Sequence, residues 1–425
     1  MHPDAPLGEE SLRLPRVRAL LHAEDLNFHR NRTSVISRCR ADDPRVAESI
    51  RSHAHVAAVR SQSTASPAED RGPRARNRTA PLDELAFRAP WWLRNRHLQT
   101  LWGKLARRRP VLPTRTVRWE TPDGDFVDLV RMAPAGRGGA SGPAPSILLL
   151  HGLEGSPRSH YVGGIFEECR RRGWGADLLV FRSCGPEPNR ERRFYHSGET
   201  SDAAFVLGRL VAENPEAPRA LVGVSLGGNV LLKLLGERGG DLPPSVRAAA
   251  AVSVPFDLAR GCRYIDRGFA RVYQRFFLRS LRRKAHEKLG RYPGLFDPDA
   301  LARARSLWDY DDAVTAPVHG FESAEEYYAR SSSLGYLARI RLPTLLLSAV
   351  DDPFLPSEVL DEVRVIARST PALELEFVPT GGHVGFVGGR APWRPDYWGE
   401  RRVADFLAPK LEDPRRAHAD VSPTG

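Results

Sequence analysis

The stretch Ala220-Leu-Val-Gly-Val-Ser-Leu-Gly-Gly-Asn229 decides the fold of this chain. It contains a G-x-S-x-G pattern that runs from Gly223 to Gly227. A short apolar run with β character precedes the serine, and a run with helical character, residues 229–236, follows it. This order predicts a strand, a sharp turn and a helix, with the Ser225 hydroxyl raised on the turn. The glycines fit that prediction, because a strained turn needs neighbours without Cβ atoms and leaves room for a substrate.

Strand and helix patterns alternate on both sides of this turn. The continuously apolar run at residues 146–150 predicts a buried parallel strand. Further strands are predicted at residues 176–181, 220–224, 247–254, 344–350 and 373–378. Helical spacing lies between them at residues 160–172, 200–214, 357–368 and 400–411, and a hairpin pattern at 115–120 and 126–132 precedes them. This rhythm predicts an α/β fold with a mostly parallel, doubly wound sheet.

The sequence predicts one main domain, residues 81–412, with additions. Residues 1–80 are rich in Arg, Ser, Ala and Asp and have little periodicity, so we predict a disordered N-terminal extension. Residues 413–425 are predicted to be a flexible tail. Residues 256–341 are rich in arginine and aromatic residues at helical spacing. We predict that they form a helical cap insertion beside the carboxyl ends of the strands, where ligands bind.

Composition and charge argue against several classes of protein. The formal charge is +11, but only five of the 63 basic residues are lysines and the arginines are scattered, which is not typical of a nucleic-acid surface. The four cysteines form no C-x-x-C pair, so we predict neither a disulfide framework nor a zinc site, and a cytoplasmic location. No apolar run approaches the ~20 residues of a membrane span, and the start of the chain lacks signal-peptide features.

A serine hydroxyl becomes a nucleophile when a base takes its proton and a third group orients that base. In α/β-hydrolases these groups follow the serine in the order acid, then histidine. Here the pair Asp351-Asp352 follows one apolar run, and His383 stands in a glycine-bounded loop after the next. Alone, Asp352 could be a helix cap and His383 a surface histidine. Together, in this order and at strand ends, they favour a catalytic site with Ser225.

An ester carbonyl under attack also needs hydrogen-bond donors for its developing negative charge. The amide of Leu226, at the start of the helix after the serine, is one candidate. The loop His151-Gly-Leu-Glu-Gly155 follows the strand from which such folds supply the second donor, so we predict the amide of Leu153. His151 is interpreted as a structural residue, because His383 occupies the place of the base.

Several blocks of the sequence resemble the YheT-like branch of the α/β-hydrolases, whose animal relatives are the abhydrolase-domain lipases. They are His97-Leu-Gln-Thr100, residues 122–129, residues 151–155, Tyr195-His-Ser-Gly-Glu199 and a spaced pattern from Asp311 to Asp352. The resemblance covers residues 87 to 407 and implies an α/β-hydrolase fold. It implies the triad Ser225, Asp352 and His383, and the spacing of Asp352 to Pro356 agrees. The loop 182–190 departs from the family pattern at Ser183, Gly185 and Pro186.

These observations predict a serine hydrolase that cleaves carboxylic esters and needs no metal or organic cofactor. Acyl transfer to an alcohol and thioester hydrolysis on the same triad are alternatives, and a non-catalytic scaffold used for binding is a third. The predicted partner is a small acyl ester or a lipid-like substrate, with peripheral membrane contact left open. Tyr273, Phe276 and Phe277 fall on one face of a predicted helix. This face either packs on the domain or lines an apolar acyl pocket.

Overall fold

The computed structural model describes residues 87–135 and 142–412. The predicted extension and tail lie outside these residues. The strands are β1 (Thr114–Glu120), β2 (Phe126–Met132), β3 (Ser146–Leu150), β4 (Gly175–Val180), β5 (Arg219–Val224), β6 (Val246–Val252), β7 (Thr344–Ala349), β8 (Leu373–Val378), β9 (Val387–Ala391) and β10 (Arg394–Tyr397). The helices before β6 are α1 (Arg96–Ala106), α2 (His160–Arg171), α3 (Ser201–Glu213) and α4 (Leu226–Arg238).

Between β6 and β7 lie the helices α5 (Leu258–Ile265), α6 (Arg271–Arg291), α7 (Pro298–Arg303), α8 (Leu307–Tyr310), α9 (Ala316–His319) and α10 (Ala324–Ser331). A π-helix, Asp311–Thr315, connects α8 to α9. The helices α11 (Glu358–Ala367) and α12 (Trp398–Glu412) complete the described part of the chain.

Eight strands form one sheet in the order β1-β2-β4-β3-β5-β6-β7-β8. The six strands from β4 to β8 in this order pair in parallel, and β1 and β2 join them as an antiparallel edge. The fold is therefore the mostly parallel α/β sheet that the apolar runs predict. Because parallel strands end at the same edge of a sheet, the residues after β5, β7 and β8 lie on one side of the molecule.

Each face of the sheet carries its own layer of buried side chains. In β3, Leu148 and Leu150 pack on one face with α4 and α11, while Ile147 and Leu149 pack on the other with α2 and α12. Burial on both faces explains why the central strands are continuously apolar rather than alternating. Burying each such side chain stabilises the fold by ~1.5–3 kcal/mol.

The structure moves several predicted boundaries. Helix α4 begins at Leu226, three residues before the predicted start, and so includes Gly227 and Gly228. Glycine is unfavourable in the interior of a helix. Here it permits a close contact between α4 and Val254, since a Cβ on Gly228 would lie 2.7 Å from Val254 Cγ2. The short hairpin of β9 and β10 was not predicted, because glycine and proline interrupt both strands.

Two of the three aromatic residues predicted to share a helix face, Tyr273 and Phe277, pack against the protein, but Phe276 does not. Tyr273 is buried and Phe277 half-buried, whereas Phe276 is 57% exposed under the ammonium group of Lys104, which lies 3.8 Å from its ring centroid. The helical spacing is real, since all three residues belong to α6. That the β6–β7 segment acts as a cap stays a prediction.

We expect Gly227→Ala to destabilise the protein, because the added Cβ would lie 2.3 Å from the carbonyl oxygen of Leu150, a backbone atom at the end of β3. Overpacking of this kind costs roughly 1–3 kcal/mol or more in the free energy of unfolding, measurable by urea denaturation. The matched control is Gly208→Ala in α3, where nothing lies within 4 Å of the new Cβ. The control should be neutral or stabilising by ~0.5–1 kcal/mol. Equal stability of the two variants would contradict the close approach of α4 to β3.

Candidate active site

Ser225 stands at the turn between β5 and α4 with φ 55° and ψ −121°. A side chain other than glycine rarely adopts this left-handed region, so the turn is strained. The amide of Ser225 donates to the carbonyl oxygen of Val252, with an N–O distance of 2.8 Å. A Cβ on Gly223 would lie 2.5 Å from the carbonyl oxygen of Gly227. The two glycines of the pattern therefore let the backbone fold closely enough to raise the serine.

Ser225, His383 and Asp352 form one hydrogen-bonded chain. Nε2 of His383 lies 2.9 Å from Oγ of Ser225, and Nδ1 of His383 lies 2.8 Å from Oδ2 of Asp352. Because an ionised carboxylate only accepts, the imidazole donates from Nδ1 and its Nε2 is left to accept the serine proton. Asp352 is 2% exposed and His383 8%. The structure thus brings together the three residues predicted from the sequence.

The loop that carries His383 is held from several sides. The amide of His383 donates to Oγ1 of Thr100 on α1 at 2.9 Å, and the amide of Val384 donates to Oγ of Ser253 at 3.0 Å. The ring of Phe354 stacks on the imidazole with centroids 4.1 Å apart. These contacts fix the orientation of the ring, which a proton-transferring base requires.

Asp351 has a different task from its neighbour. Its Oδ1 accepts from the amides of Gly381 and Gly382, each at 2.9 Å, so it anchors the start of the histidine loop. Burial raises the pKa of this carboxyl above its usual value. Asp352 is the carboxylate that meets the imidazole, and its Oδ1 accepts from the amide of Phe354 at 2.8 Å.

The two predicted oxyanion donors, Leu153 and Leu226, line the same cavity as Ser225 and His383. Within the described part of the chain, neither amide donates a hydrogen bond to another residue. The loop that carries Leu153 passes close to Ser225, since a Cβ on Gly152 would lie 3.2 Å from Cβ of Ser225. Both amides are therefore available beside the serine.

Buried side chains hold this loop in place. The hydroxyl of Tyr161 accepts from the amide of Gly152 at 2.8 Å, and the hydroxyl of Tyr195 accepts from the amide of Glu154 at 2.9 Å. His151 is fully buried, and its Nε2 accepts from the amide of Phe181 at 3.1 Å. Burial lowers the pKa of His151 to about 4. A neutral, enclosed imidazole bonded to backbone agrees with its interpretation as a structural residue.

Two openings meet at Ser225 and His383. One, which we call the apolar cavity, has a volume of about 140 Å³ and is lined mainly by apolar and aromatic side chains of the β6–β7 segment. The other, which we call the basic groove, has a volume of about 480 Å³ and includes Lys104, Arg109 and Arg158. The serine thus has an apolar space on one side and a groove with positive charge on the other.

Sequence reasoning missed several residues that support the site. Thr100 and Ser253 hold the histidine loop through backbone hydrogen bonds, and Phe354 stacks on the imidazole. Gln99 accepts from the amide of Val387 at 2.9 Å and donates to its carbonyl oxygen, also at 2.9 Å, which ties α1 to the strand after the loop. Gln99 and Thr100 lie in a block that carries the family resemblance, so that block was a usable signal. Nothing local marked Ser253 or Phe354.

Residues 145–389 match the family model described as alpha/beta hydrolase fold. YheT of Escherichia coli (strain K12) is 42% identical over 75% of this chain and 92% of its own length. The chain therefore belongs to the α/β-hydrolase family, in its YheT-like branch, which confirms the resemblance and the predicted fold class.

Two other relatives carry names that describe lipid chemistry. Phospholipase ABHD3 of Homo sapiens is 27% identical over 63% of this chain and 64% of its own length. Monoacylglycerol lipase of Saccharomyces cerevisiae (strain ATCC 204508 / S288c) is 29% identical over 62% of this chain and 59% of its own length. Both matches leave more than a third of the relative uncovered.

Across residues 87–135 and 142–412, no helix has both the length and the apolar character that crossing a bilayer requires.

We expect the two neighbouring aspartates to respond differently to substitution. Asp352→Asn should lower kcat by several orders of magnitude, because an amide in place of the carboxylate favours the wrong imidazole tautomer. Asp351→Asn keeps an acceptor for the amides of Gly381 and Gly382 and should lower kcat by less than tenfold. Asp351→Ala removes that acceptor and should lower kcat more than Asp351→Asn does. Initial rates of ester hydrolysis measure all three, and a larger loss for Asp351→Asn than for Asp352→Asn would move the acid to Asp351.

Proposed function

We propose that this protein is a serine hydrolase that cleaves carboxylic esters through an acyl-enzyme. The observation that carries the proposal is the continuous hydrogen-bonded chain from Ser225 through His383 to Asp352, at the meeting point of two openings. A buried acid, an oriented imidazole and a serine on a strained turn are the parts that nucleophilic catalysis needs.

In the first half of the proposed reaction, Oγ of Ser225 attacks the ester carbonyl while Nε2 of His383 takes the hydroxyl proton. The carboxylate of Asp352 stabilises the imidazolium that forms. The amides of Leu153 and Leu226 donate to the oxyanion, and removing one such donor typically costs ~10²–10³ in kcat. The bond to the alcohol oxygen then breaks, and the Nε2 proton passes to that oxygen.

The second half releases the acid. A water molecule gives a proton to Nε2 of His383 and attacks the acyl carbonyl with its oxygen. The same two amides receive the second oxyanion. Collapse of this intermediate returns the proton to Oγ of Ser225 and frees the carboxylic acid, so the enzyme is restored.

We infer that the acyl chain occupies the apolar cavity and the alcohol part lies in the basic groove. Apolar side chains such as Leu258, Ile265 and Leu281 suit a hydrocarbon chain. The relatives named as a phospholipase and a monoacylglycerol lipase support an acyl ester of lipid type. Acyl transfer and thioester cleavage would use the same acyl-enzyme and differ in the acceptor or the leaving atom.

The test of the nucleophile is Ser225→Ala, assayed with p-nitrophenyl esters. We expect the variant to fold and to keep only the ~10³–10⁴-fold acceleration over water that binding and the oxyanion donors supply. Ser369→Ala, which removes an exposed hydroxyl at the end of α11, is the matched control and should retain full activity. Product analysis should find the free acid. Wild-type activity in Ser225→Ala would rule out Ser225 as the nucleophile.

A second prediction concerns the length of the acyl chain. Each buried methylene contributes ~0.8 kcal/mol, so kcat/KM should rise roughly a hundredfold from butanoate to octanoate. Phe277 lines the apolar cavity, so Phe277→Ala should flatten this rise. Phe276→Ala is the control. The ring of Phe276 is exposed and, of the two openings, it lines only the basic groove. If Phe276→Ala flattened the rise and Phe277→Ala did not, the acyl chain would have to lie in the groove.

A further inference from the structure

One wall of the apolar cavity carries a carboxylate. Asp311 is the first residue of the π-helix Asp311–Thr315, a five-residue turn inserted between α8 and α9. Such turns are rare and frequently stand at functional sites. Asp311 lines the same cavity as Ser225 and His383.

Asp311 lies inside the protein, on the wall of the apolar cavity. Loss of solvation raises its pKa to about 6. Yet the residue is only half-buried by accessible surface. Asp311 is one of the residues that line the apolar cavity, so this part of the cavity wall is polar.

Two hydroxyl groups bind this carboxylate. Tyr328 donates to Oδ2 and Thr315 donates to Oδ1, each with an O–O distance of 2.6 Å. An ionised carboxylate offers about four acceptor positions, so these two bonds leave acceptor capacity for a further donor.

Asp311 has no cationic partner in the described part of the chain. The ammonium of Lys284, which also lines the cavity, pairs with Glu154 at 2.7 Å. His196 lines the cavity too, but burial lowers its pKa to about 3 and it is neutral at physiological pH. The negative charge of Asp311 is therefore not neutralised by the cavity's other residues.

A plain alkyl chain long enough to reach Asp311 would be poorly matched to this part of the wall. It would place methylene groups against the remaining acceptor positions of Asp311, and a desolvated polar group without a partner is costly. An acyl chain with a donor group at the right position would supply the missing bond. Sites built to hydrogen-bond a substrate group discriminate strongly against analogues that lack it.

We propose that Asp311 is a specificity-determining residue, which selects esters whose acyl chain carries a hydrogen-bond donor, a hydroxyl or an ammonium group. This inference rests on the proposed ester hydrolysis, since it places the acyl chain in the apolar cavity. The donor group binds Oδ1 or Oδ2 of Asp311 while the ester carbonyl lies at Ser225. No covalent step involves Asp311.

The test compares matched p-nitrophenyl esters: hexanoate, octanoate and decanoate, each plain, with a terminal hydroxyl, or with a terminal amine. We expect the wild-type protein to prefer at least one substituted ester by about tenfold to a hundredfold in kcat/KM, as a hydrogen bond to a charged group would give. Asp311→Leu should abolish or reverse this preference. Asp311→Asn should retain a preference for the hydroxyl and lose one for the amine, which identifies the donor.

Asp312→Asn is the matched control. This neighbouring aspartate is exposed, does not line the cavity, and accepts from the amide of Ala324, a bond that asparagine preserves. It should leave the preference unchanged. Each ratio compares two substrates on one protein, so a loss of stability alone does not alter it. If Asp311→Leu fails to fold, the wild-type ratios and Asp311→Asn decide.

Equal kcat/KM for plain and substituted esters at all three lengths would overturn the role of Asp311, as would an unchanged ratio in Asp311→Leu. A parallel measurement separates this outcome from failure of the proposed function. Binding of the same esters to Ser225→Ala, followed by calorimetry, reports the preference without turnover. A preference in binding with no hydrolysis by the wild-type protein would retain Asp311 as a selecting residue and reject ester hydrolysis.

Discussion

The strained turn at Ser225 is the constraint on which the rest of the structure depends. Its φ of 55° is tolerated because Gly223 and Gly227 lack side chains, which lets α4 start directly after β5 and pack against the end of β3. The other parallel strands of the sheet then determine which residues reach the serine. The loop after β3 brings the backbone amide of Leu153, while the loops after β7 and β8 bring the carboxylate of Asp352 and the imidazole of His383. A parallel sheet is what places these loops at one edge.

Much of the fold could be predicted because its signals are local and repeated. Strands buried on both faces need continuous apolar runs, so β3, β5 and β7 were visible in the sequence to within a residue or two. The start of α4 was predicted too late, since glycine's low helix propensity conceals a close contact made only in the folded chain. The exposure of Phe276 could not be predicted either, because periodicity shows which residues share a helix face but not which part of that face packs on the domain.

The residues of the candidate site also fall into those that the sequence predicts and those that it does not. Ser225, Asp352 and His383 follow from a motif and from positions after strands, and the structure places them within hydrogen-bond reach of one another. Their supports could not be derived so readily, because Thr100 and Ser253 come from α1 and the end of β6, far from His383 in the chain. The isolated carboxylate of Asp311 is a property of three-dimensional packing. Asp311 opens the spaced pattern that carries the family resemblance, but its separation from cationic side chains depends on the fold.

Covalent labelling with a fluorophosphonate, followed by peptide mapping, tests most directly whether His383 and Asp352 make Ser225 nucleophilic. We expect one phosphonyl group per chain, attached to the peptide that contains Ser225. We also expect labelling to slow by orders of magnitude in His383→Ala, because the serine then has no base to take its proton. The absence of an adduct, or an adduct on a different serine with Ser225 unmodified, would contradict the assignment.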